Sequence, residues 1–448
     1  MRRSLLFQSY IVVLLLSLAA EVSLFPLRGL SVESVPLSVF VIVIGWLFPF
    51  FFFRDFLRFL QVNRAILILG ALFLVSGLAS VFYSPFPRLY TAKWLFGYGL
   101  CLGASLNLLF LFSIQRGLGS FFLKTIAVMA VSSSLLSVIE ASNQDVFEFL
   151  CNAFRSGEQQ VINGRFRAGA TFQHPNIFGC FASIGILILL SLKERGEVKG
   201  TLFFPSALIL TIGMALSGSR NGMLVLVIPL ALLLLNRKTA RTVLVLLLIA
   251  AISYAALNPS ASRITDLWNV LTKTRPHTNV PGGPGAGGIA AAPREPSTAV
   301  TRLMLWQSAV RMFMDHPVFG IGPGGYNRAL KAYASDSLRA LENPKIEREY
   351  LHAHNGFLNL LAEFGLVGTA VAMVFLAWVI LNVFRRCATI RPSPVYAIVL
   401  GLLISFGPDA FFYSWFFMVL CLSLFFLFGF ARASLPNGIA APSQEPVS

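Results

Sequence analysis

Charged residues are scarce in this 448-residue chain: Asp, Glu, Lys and Arg together make up 12% of it, about half of what a soluble globular domain carries. Acidic residues are scarcer still, at 19 positions. With 56% of the residues hydrophobic and 42 of them Phe, no soluble fold has enough polar surface to cover its interior. Cysteine is also sparse. Cys101, Cys151, Cys180, Cys387 and Cys421 are scattered, and only Cys151 falls in a polar outer segment, so no disulfide framework is implied. No Cys/His cluster has zinc-finger spacing. No basic run is interleaved with aromatics, which removes a nucleic-acid reading of the +16 net charge. Internal repeats of fixed period are absent. Soluble enzymes, disordered scaffolds and secreted disulfide modules are excluded, and lipid is the solvent for most of the chain.

What is present is a succession of apolar runs, with a mean hydropathy of +0.75. A spanning helix needs about 20 mainly apolar residues to cross a core of ~30 Å. Twelve runs qualify: 9–25, 35–53, 65–82, 94–114, 118–138, 177–192, 202–216, 222–235, 242–256, 365–384, 395–406 and 411–430. Gly407 and Pro408 interrupt the last two, and the final span could begin near Trp415. The first resembles a signal peptide, with Arg2 and Arg3 ahead of its core, but no clear small-residue cleavage pattern follows, so it reads as a span. The fold expected is an all-α polytopic membrane protein.

Positive residues set the orientation. With the N-terminus inside, the short inner segments collect Arg2, Arg3, Arg54, Arg58, Arg64, Arg116, Lys193, Arg195, Lys199, Arg237, Lys238, Arg241, Arg385, Arg386, Arg391 and Arg432. The short outer ones hold only Arg28, Arg88, Lys93 and Arg220. Both termini are therefore expected in the cytoplasm. The expected organisation is spans one to nine in 1–256, with an outer loop near 140–176, and a large outer loop over 257–355. The last three spans lie in 356–434 and a disordered tail in 435–448. Inside the large loop, 280–296 reads as a flexible insertion, with five Gly and four Pro in 17 residues. Order resumes at Leu303, Trp306, Val310 and Met314, which recur at helical spacing.

Ionisable residues within the spans are few: Glu21, Lys124 and Asp409, each near a span end. Ion-coupled transporters place such groups near the midplane, so the polar chemistry here belongs to the outer face. In His352-Ala353-His354-Asn355 two geometries compete. A helix beginning earlier would align His352, Asn355, Asn359 and Glu363 in one stripe. Alternatively Asn355 is the N-cap, leaving His354 just outside the helix at the water interface. The second is preferred, since the positive end of a helix disfavours imidazolium and a general base must be neutral. An interfacial histidine with no chemical task fits the same sequence, and a His352/His354/His316 metal site is a weaker alternative.

Arginines recur on the same side. Arg220 lies in Ser217-Gly218-Ser219-Arg220-Asn221-Gly222, Arg302 opens the ordered part of the large loop, and Arg165 and Arg167 precede Gly169-Ala170-Thr171-Phe172-Gln173-His174-Pro175-Asn176. A guanidinium offers a planar fork that matches phosphate oxygens; snorkelling toward head groups is the plainer use. The Gly-rich turn from Asp315 to Gly325 includes Gly322 and Gly324. It is either a backbone approach to a ligand or a tight connection.

Taken together, His354-Asn355 followed by Gly365-Leu366-Val367-Gly368, Arg302…Trp306…His316-Pro317…Gly320-Ile321-Gly322…Gly324, Ser219-Arg220, and Arg167-x-Gly169-x-Thr171-Phe172…Pro175-Asn176 resemble the O-antigen ligase and O-antigen polymerase superfamily. The likeness covers about 165–368. It implies a membrane-embedded, GT-C-like glycosyltransferase of about twelve spans, with its large periplasmic loop between spans nine and ten. Such a protein moves a glycan from undecaprenyl diphosphate to an acceptor on the periplasmic face of the bacterial inner membrane. A ligase uses lipid A–core and a polymerase another lipid-linked repeat. The resemblance implies His354 as the base, Arg220 and Arg302 as diphosphate holders, and Arg165, Arg167, Asn176, Asn355, Gly322 and Gly324 as substrate-binding positions. With those roles, two fixed guanidiniums can stabilise the departing diphosphate in place of a divalent cation, so no cofactor is expected, and attack of the acceptor hydroxyl from the opposite face predicts inversion. Glu347, Glu349 and Asp315 remain available to a metal-dependent route. A polysaccharide polymerase is the rival within the class; an exporter or lipid flippase without bond chemistry is the rival outside it. Reporter fusions test the orientation: a phosphatase active only outside the cytoplasm should be active when fused near residue 160 and inactive when fused near residue 197.

Overall fold

The computed structural model describes residues 2–20, 23–25, 35–115, 117–154, 161–162, 165–172, 174–257, 298–334, 352–387, 393–406 and 414–430. Almost all of these are helical. The chain runs α1 (Arg2–Ala20), α2 (Leu37–Gly45), α3 (Phe48–Phe51), α4 (Phe53–Val62), α5 (Arg64–Tyr83), α6 (Arg88–Ile114), α7 (Leu118–Ser142) and α8 (Gln144–Phe154). It continues through α9 (Pro175–Glu194), α10 (Gly200–Leu216), α11 (Arg220–Leu233), α12 (Arg237–Leu257), α13 (Thr298–Asp315), α14 (Gly325–Tyr333), α15 (Gly356–Cys387), α16 (Pro394–Phe406) and α17 (Trp415–Phe430). The strands described are two antiparallel hairpins, β1 (Ser23–Phe25) with β2 (Val35–Pro36) and β3 (Val161–Ile162) with β4 (Arg165–Phe166).

Six of these helices are long and apolar enough to cross a membrane, and the bent pair 37–51 and 53–62 adds a seventh if counted as one span; five shorter apolar helices accompany them. The protein is a multi-pass, all-α membrane protein. One expected span differs in form: the run at 35–53 turns by 98° and continues as α4. Apolar composition carries on through Phe50, Phe51 and Phe53, so hydropathy alone does not mark the bend. Helix α9 is the hub. Its spanning window is 94% buried, against 17% for α12 at the rim. Helices without polar faces pack in lipid by letting small residues bring backbones together. Here Gly179 of α9 meets Gly222 of α11 backbone to backbone, and Gly213 of α10 sits against Ser134 of α7.

Helix α15 is broken at Gly365, whose φ of 63° and ψ of −163° lie in a region essentially reserved for glycine. Backbone groups freed inside a membrane must find partners within the protein, and the Gly-rich turn supplies them. Ile321 N–H donates to Ala362 O and Gly322 N–H to Glu363 O, both at 2.9 Å; Leu366 N–H donates to Pro317 O at 2.8 Å and Val367 N–H to Val318 O at 3.1 Å. The Ser80 hydroxyl of α5 donates to Phe319 O and Glu363 O. A Cβ at Gly365 would strike the Val318 carbonyl and Gly320 N. Above this seam a second apolar core joins Leu305, Ala309 and Met312 of α13, Ile321, Tyr326 and Leu330 around α14, and Ala353 and Ala362 at the start of α15.

On the opposite face, Lys124 of α7 pairs with Glu197 at 2.9 Å, in the connection between α9 and α10. Burial pushes the Glu197 carboxyl up, but the Ser120 hydroxyl, Lys124 and Arg195 outweigh it and hold the group below its ordinary value. Glu21, Asp409, the insertion 280–296 and the tail 435–448 lie outside the described residues. Replacing Gly365 with Ala should cost at least the roughly 1–3 kcal/mol of a forbidden backbone conformation. Thermal melting in detergent should show a clear loss, whereas Gly200→Ala, with open space at its Cβ, should melt near wild type.

Candidate active site

Three helix N-termini open on the face away from the Lys124–Glu197 pair. Helix α9 begins at Pro175, which has no N–H to leave unsatisfied, and its cap is His174, whose Nδ1 accepts from Asn176 N–H at 3.0 Å. Helix α11 begins at Arg220 behind Ser219, whose hydroxyl accepts from Gly222 N–H at 3.0 Å. The close approach of Gly179 and Gly222 fixes these two ends side by side. The third belongs to α15. Asn355 Oδ1 accepts from Phe357 N–H at 3.1 Å and Leu358 N–H at 3.2 Å. Asn355 is the N-cap, and His354 stands just outside the helix, as the sequence suggested.

His354 has a φ of 49° and Ala170 a φ of 48°, the two non-glycine residues in the left-handed region among those described. Such positions persist only where surroundings enforce them, and they gather at functional sites. Both lie in loops leading into the capped helix ends. Ala170 is held by Glu140, a buried carboxylate at the end of α7. It accepts from Ala170 N–H at 2.8 Å and Gly169 N–H at 3.2 Å. His354 stacks near His352, with ring centroids 4.1 Å apart, and its N–H donates to His352 Nδ1 at 3.4 Å. Burial, then the imidazoles of His354 and His174, holds His352 well below the ordinary histidine value. His174 is thus close enough to His352 to be felt, which joins the start of α15 to the ends of α9 and α11.

The arginines divide by what already occupies their forks. Arg167 donates from Nε to Ser217 O at 2.7 Å and from Nη2 to Asn176 Oδ1 at 2.6 Å. It ties the loop before α9 to the connection between α10 and α11, and Asn176 is its partner. Arg220 is exposed and Arg302 half-buried, and neither forms a hydrogen bond or ion pair with the described residues. Arg302 lies one turn before Leu305 on α13, and Leu305 packs in one core with Ala353. Arg165 is placed by its backbone in β4, opposite Ile162; its side chain is outside the described residues. Gly322 and Gly324 serve packing. A Cβ at Gly322 would meet Ser84 and Thr91, and one at Gly324 would overlap the Trp94 indole.

Two buried carboxylates carry no assigned role in the sequence reading: Glu140, and Glu363, which entered only through the alternative stripe and lies in α15 with Oε1 near Tyr326 N–H at 3.4 Å. The available signal was an acid inside an apolar run directly before a glycine-marked break. Among the described residues no three His, Cys, Asp or Glu side chains are gathered to hold a metal ion.

Residues 205–373 match the family described as O-antigen ligase. That segment contains Arg220, Arg302, the Gly-rich turn, His354-Asn355 and the Gly365 break, so the resemblance to the O-antigen ligase superfamily holds there; the patch from Arg165 to Asn176 precedes it. No curated protein matches the chain at a significant level.

The depressed titration of His352 has a testable sign. The unfolded chain takes up a proton near pH ~6.5 that native His352 refuses. Its contribution to stability is fully present above that pH and is lost as pH falls. Melting curves between roughly pH 5 and 8 should show stability falling toward acid, and His352→Gln should flatten that limb.

Proposed function

We propose, taking the O-antigen ligase domain at 205–373 as the premise, that this protein transfers a glycan from a polyprenyl diphosphate carrier to a lipid A–core acceptor on the periplasmic face of the bacterial inner membrane. The observation that carries the reading is His354. It is held in a left-handed turn immediately outside a capped helix, beside two further helix N-termini, on the side bearing Arg220 and Arg302, whose forks bond none of the described residues.

The chemistry follows from charge. As the bond between the sugar C1 and the diphosphate oxygen breaks, negative charge collects on the departing diphosphate. Helix N-termini and guanidiniums stabilise it without reorganising, and one such preorganised donor is worth about 3–4 kcal/mol. The acceptor hydroxyl attacks C1 from the opposite side and passes its proton to His354, so the anomeric configuration inverts and polyprenyl diphosphate leaves. Proton removal by a positioned base contributes about 10²–10⁴-fold. Arg167, Asn176 and Asn355 hold the helix ends in register, and Glu140 fixes the loop that carries Arg167. Arg165, Gly322 and Gly324 frame the same face. An almost wholly apolar cavity lined by Phe73, Tyr98, Leu360, Phe375, Leu376 and Phe425 lies below this site within the helices. Leu360 belongs to the same first segment of α15 as Asn355, and the cavity suits the isoprenoid chain.

Purified protein given glycan on undecaprenyl diphosphate and lipid A–core should yield joined product, and EDTA should not abolish it. His354→Ala should lower the rate by about 10²–10⁴-fold, and Arg220→Ala or Arg302→Ala each by about 10²–10³-fold. Lengthened carrier-linked chains without transfer to lipid A–core would make the protein a polymerase. Translocation of labelled glycan by His354→Ala, without joining, would make it a flippase.

A further inference from the structure

We propose that the arginine-rich face of this protein carries a binding site for an anionic phospholipid, with one acyl chain in the cavity beneath α4. After the 98° bend α4 leaves the spanning direction, and its sequence, Phe-Arg-Asp-Phe-Leu-Arg-Phe-Leu-Gln-Val, has two faces. Phe56, Phe59 and Leu60 turn inward and line a cavity of about 230 Å³, closed by Trp46 before the bend, Leu67 of α5 and Phe110 of α6. Apolar cavities of about 150 Å³ accept hydrocarbon, and this one, apolar but for Asn107 in its wall, has room for a chain. Phe50, Phe51 and Phe53 beside it are exposed, as aromatics immersed at a lipid interface are.

The outward face supplies the charge. Arg54 and Arg58 on α4 and Arg64 at the start of α5 are exposed, and Arg3 lies over the Phe52 ring at 3.9 Å and the same distance from Asp55. Four guanidiniums against one carboxylate leave the rim formed by the outward side of α4 and its flanks positive, over the helix that roofs the cavity. The charge rule assigns this rim to the cytoplasmic leaflet, where anionic lipids make such clusters adhesive. A cationic rim over an aromatic-walled, hydrocarbon-sized space matches a headgroup phosphate and its chain. A zwitterionic lipid would meet the cavity but gain little from the rim.

Trp46 reports occupancy. Full-length protein is reconstituted in phosphatidylcholine vesicles containing, at equal mole fraction, brominated phosphatidylglycerol or brominated phosphatidylcholine, and the quenching due to Trp46 is isolated by subtracting Trp46→Phe. Brominated phosphatidylglycerol should quench several-fold more strongly. Arg54→Gln/Arg58→Gln/Arg64→Gln should remove that preference, at about fivefold in affinity per arginine. Leu106→Phe, which fills the cavity, should reduce it while leaving glycan transfer intact. Equal quenching by the two lipids, or a preference that survives the triple replacement, overturns the proposal; a preference that survives Leu106→Phe removes the chain from the cavity and overturns it equally.

Discussion

A membrane helix that breaks must have its loose backbone groups bonded by something other than water, and the organisation of this protein follows from how that is done at Gly365. The turn from Pro317 to Gly322 lies along the break and exchanges N–H and C=O with it on both sides. Ser80 adds a hydroxyl from α5, and Glu363 turns its carboxylate toward the start of α14. The glycines at 320, 322 and 324 take left-handed conformations against the Glu363 backbone, the Ser84 and Thr91 side chains and the Trp94 ring respectively. Without this seam neither the outer core around Tyr326 nor the capped start of α15 would have a fixed base.

Above the seam the polar groups sort by commitment. Arg167 and Glu140 are bonded to other parts of the chain and build the frame. Arg220 and Arg302 bond none of the described residues. A binding group must exchange water for ligand, whereas a framing group must not exchange at all. Helix ends fixed by glycine contact complement both, because their partial charge is set by geometry and does not titrate.

The apolar stretches and the Asn355 cap were legible in the sequence because both are local: hydropathy needs one window, and a cap needs three neighbouring residues. The bend after Phe51 was not, since the Phe run 50–53 continues across it and the arginines that follow read as an ordinary loop beyond a span. Lys124 could be seen near a span end, but its partner Glu197 is far along the chain and meets it only after α7, α9 and α10 pack. The Gly-rich turn was recognisable as a close backbone approach, yet whether a ligand or another helix was approached depended on tertiary placement. Arg167 read as a ligand holder by residue type, and only its bonds to Ser217 and Asn176 reveal a frame member. Glu140 was hidden because a single acid barely moves an apolar average, and Glu363 was visible only as one member of a stripe whose partners depended on where α15 began.

The break in α15 also has a mechanical side. The short piece carrying Asn355 is fastened to the outer turn and to α5, while the long rod beyond Gly365 is fastened to its neighbours within the bilayer. Leu366 and Val367, the first residues of the rod, donate to the same turn that holds Ala362 and Glu363, so the two pieces of α15 meet at a bonded joint and not a free one. A thrust on the rod from the bilayer is therefore passed to the outer turn and to Ser80 of α5, which bonds the same joint, before it reaches the loop of His354.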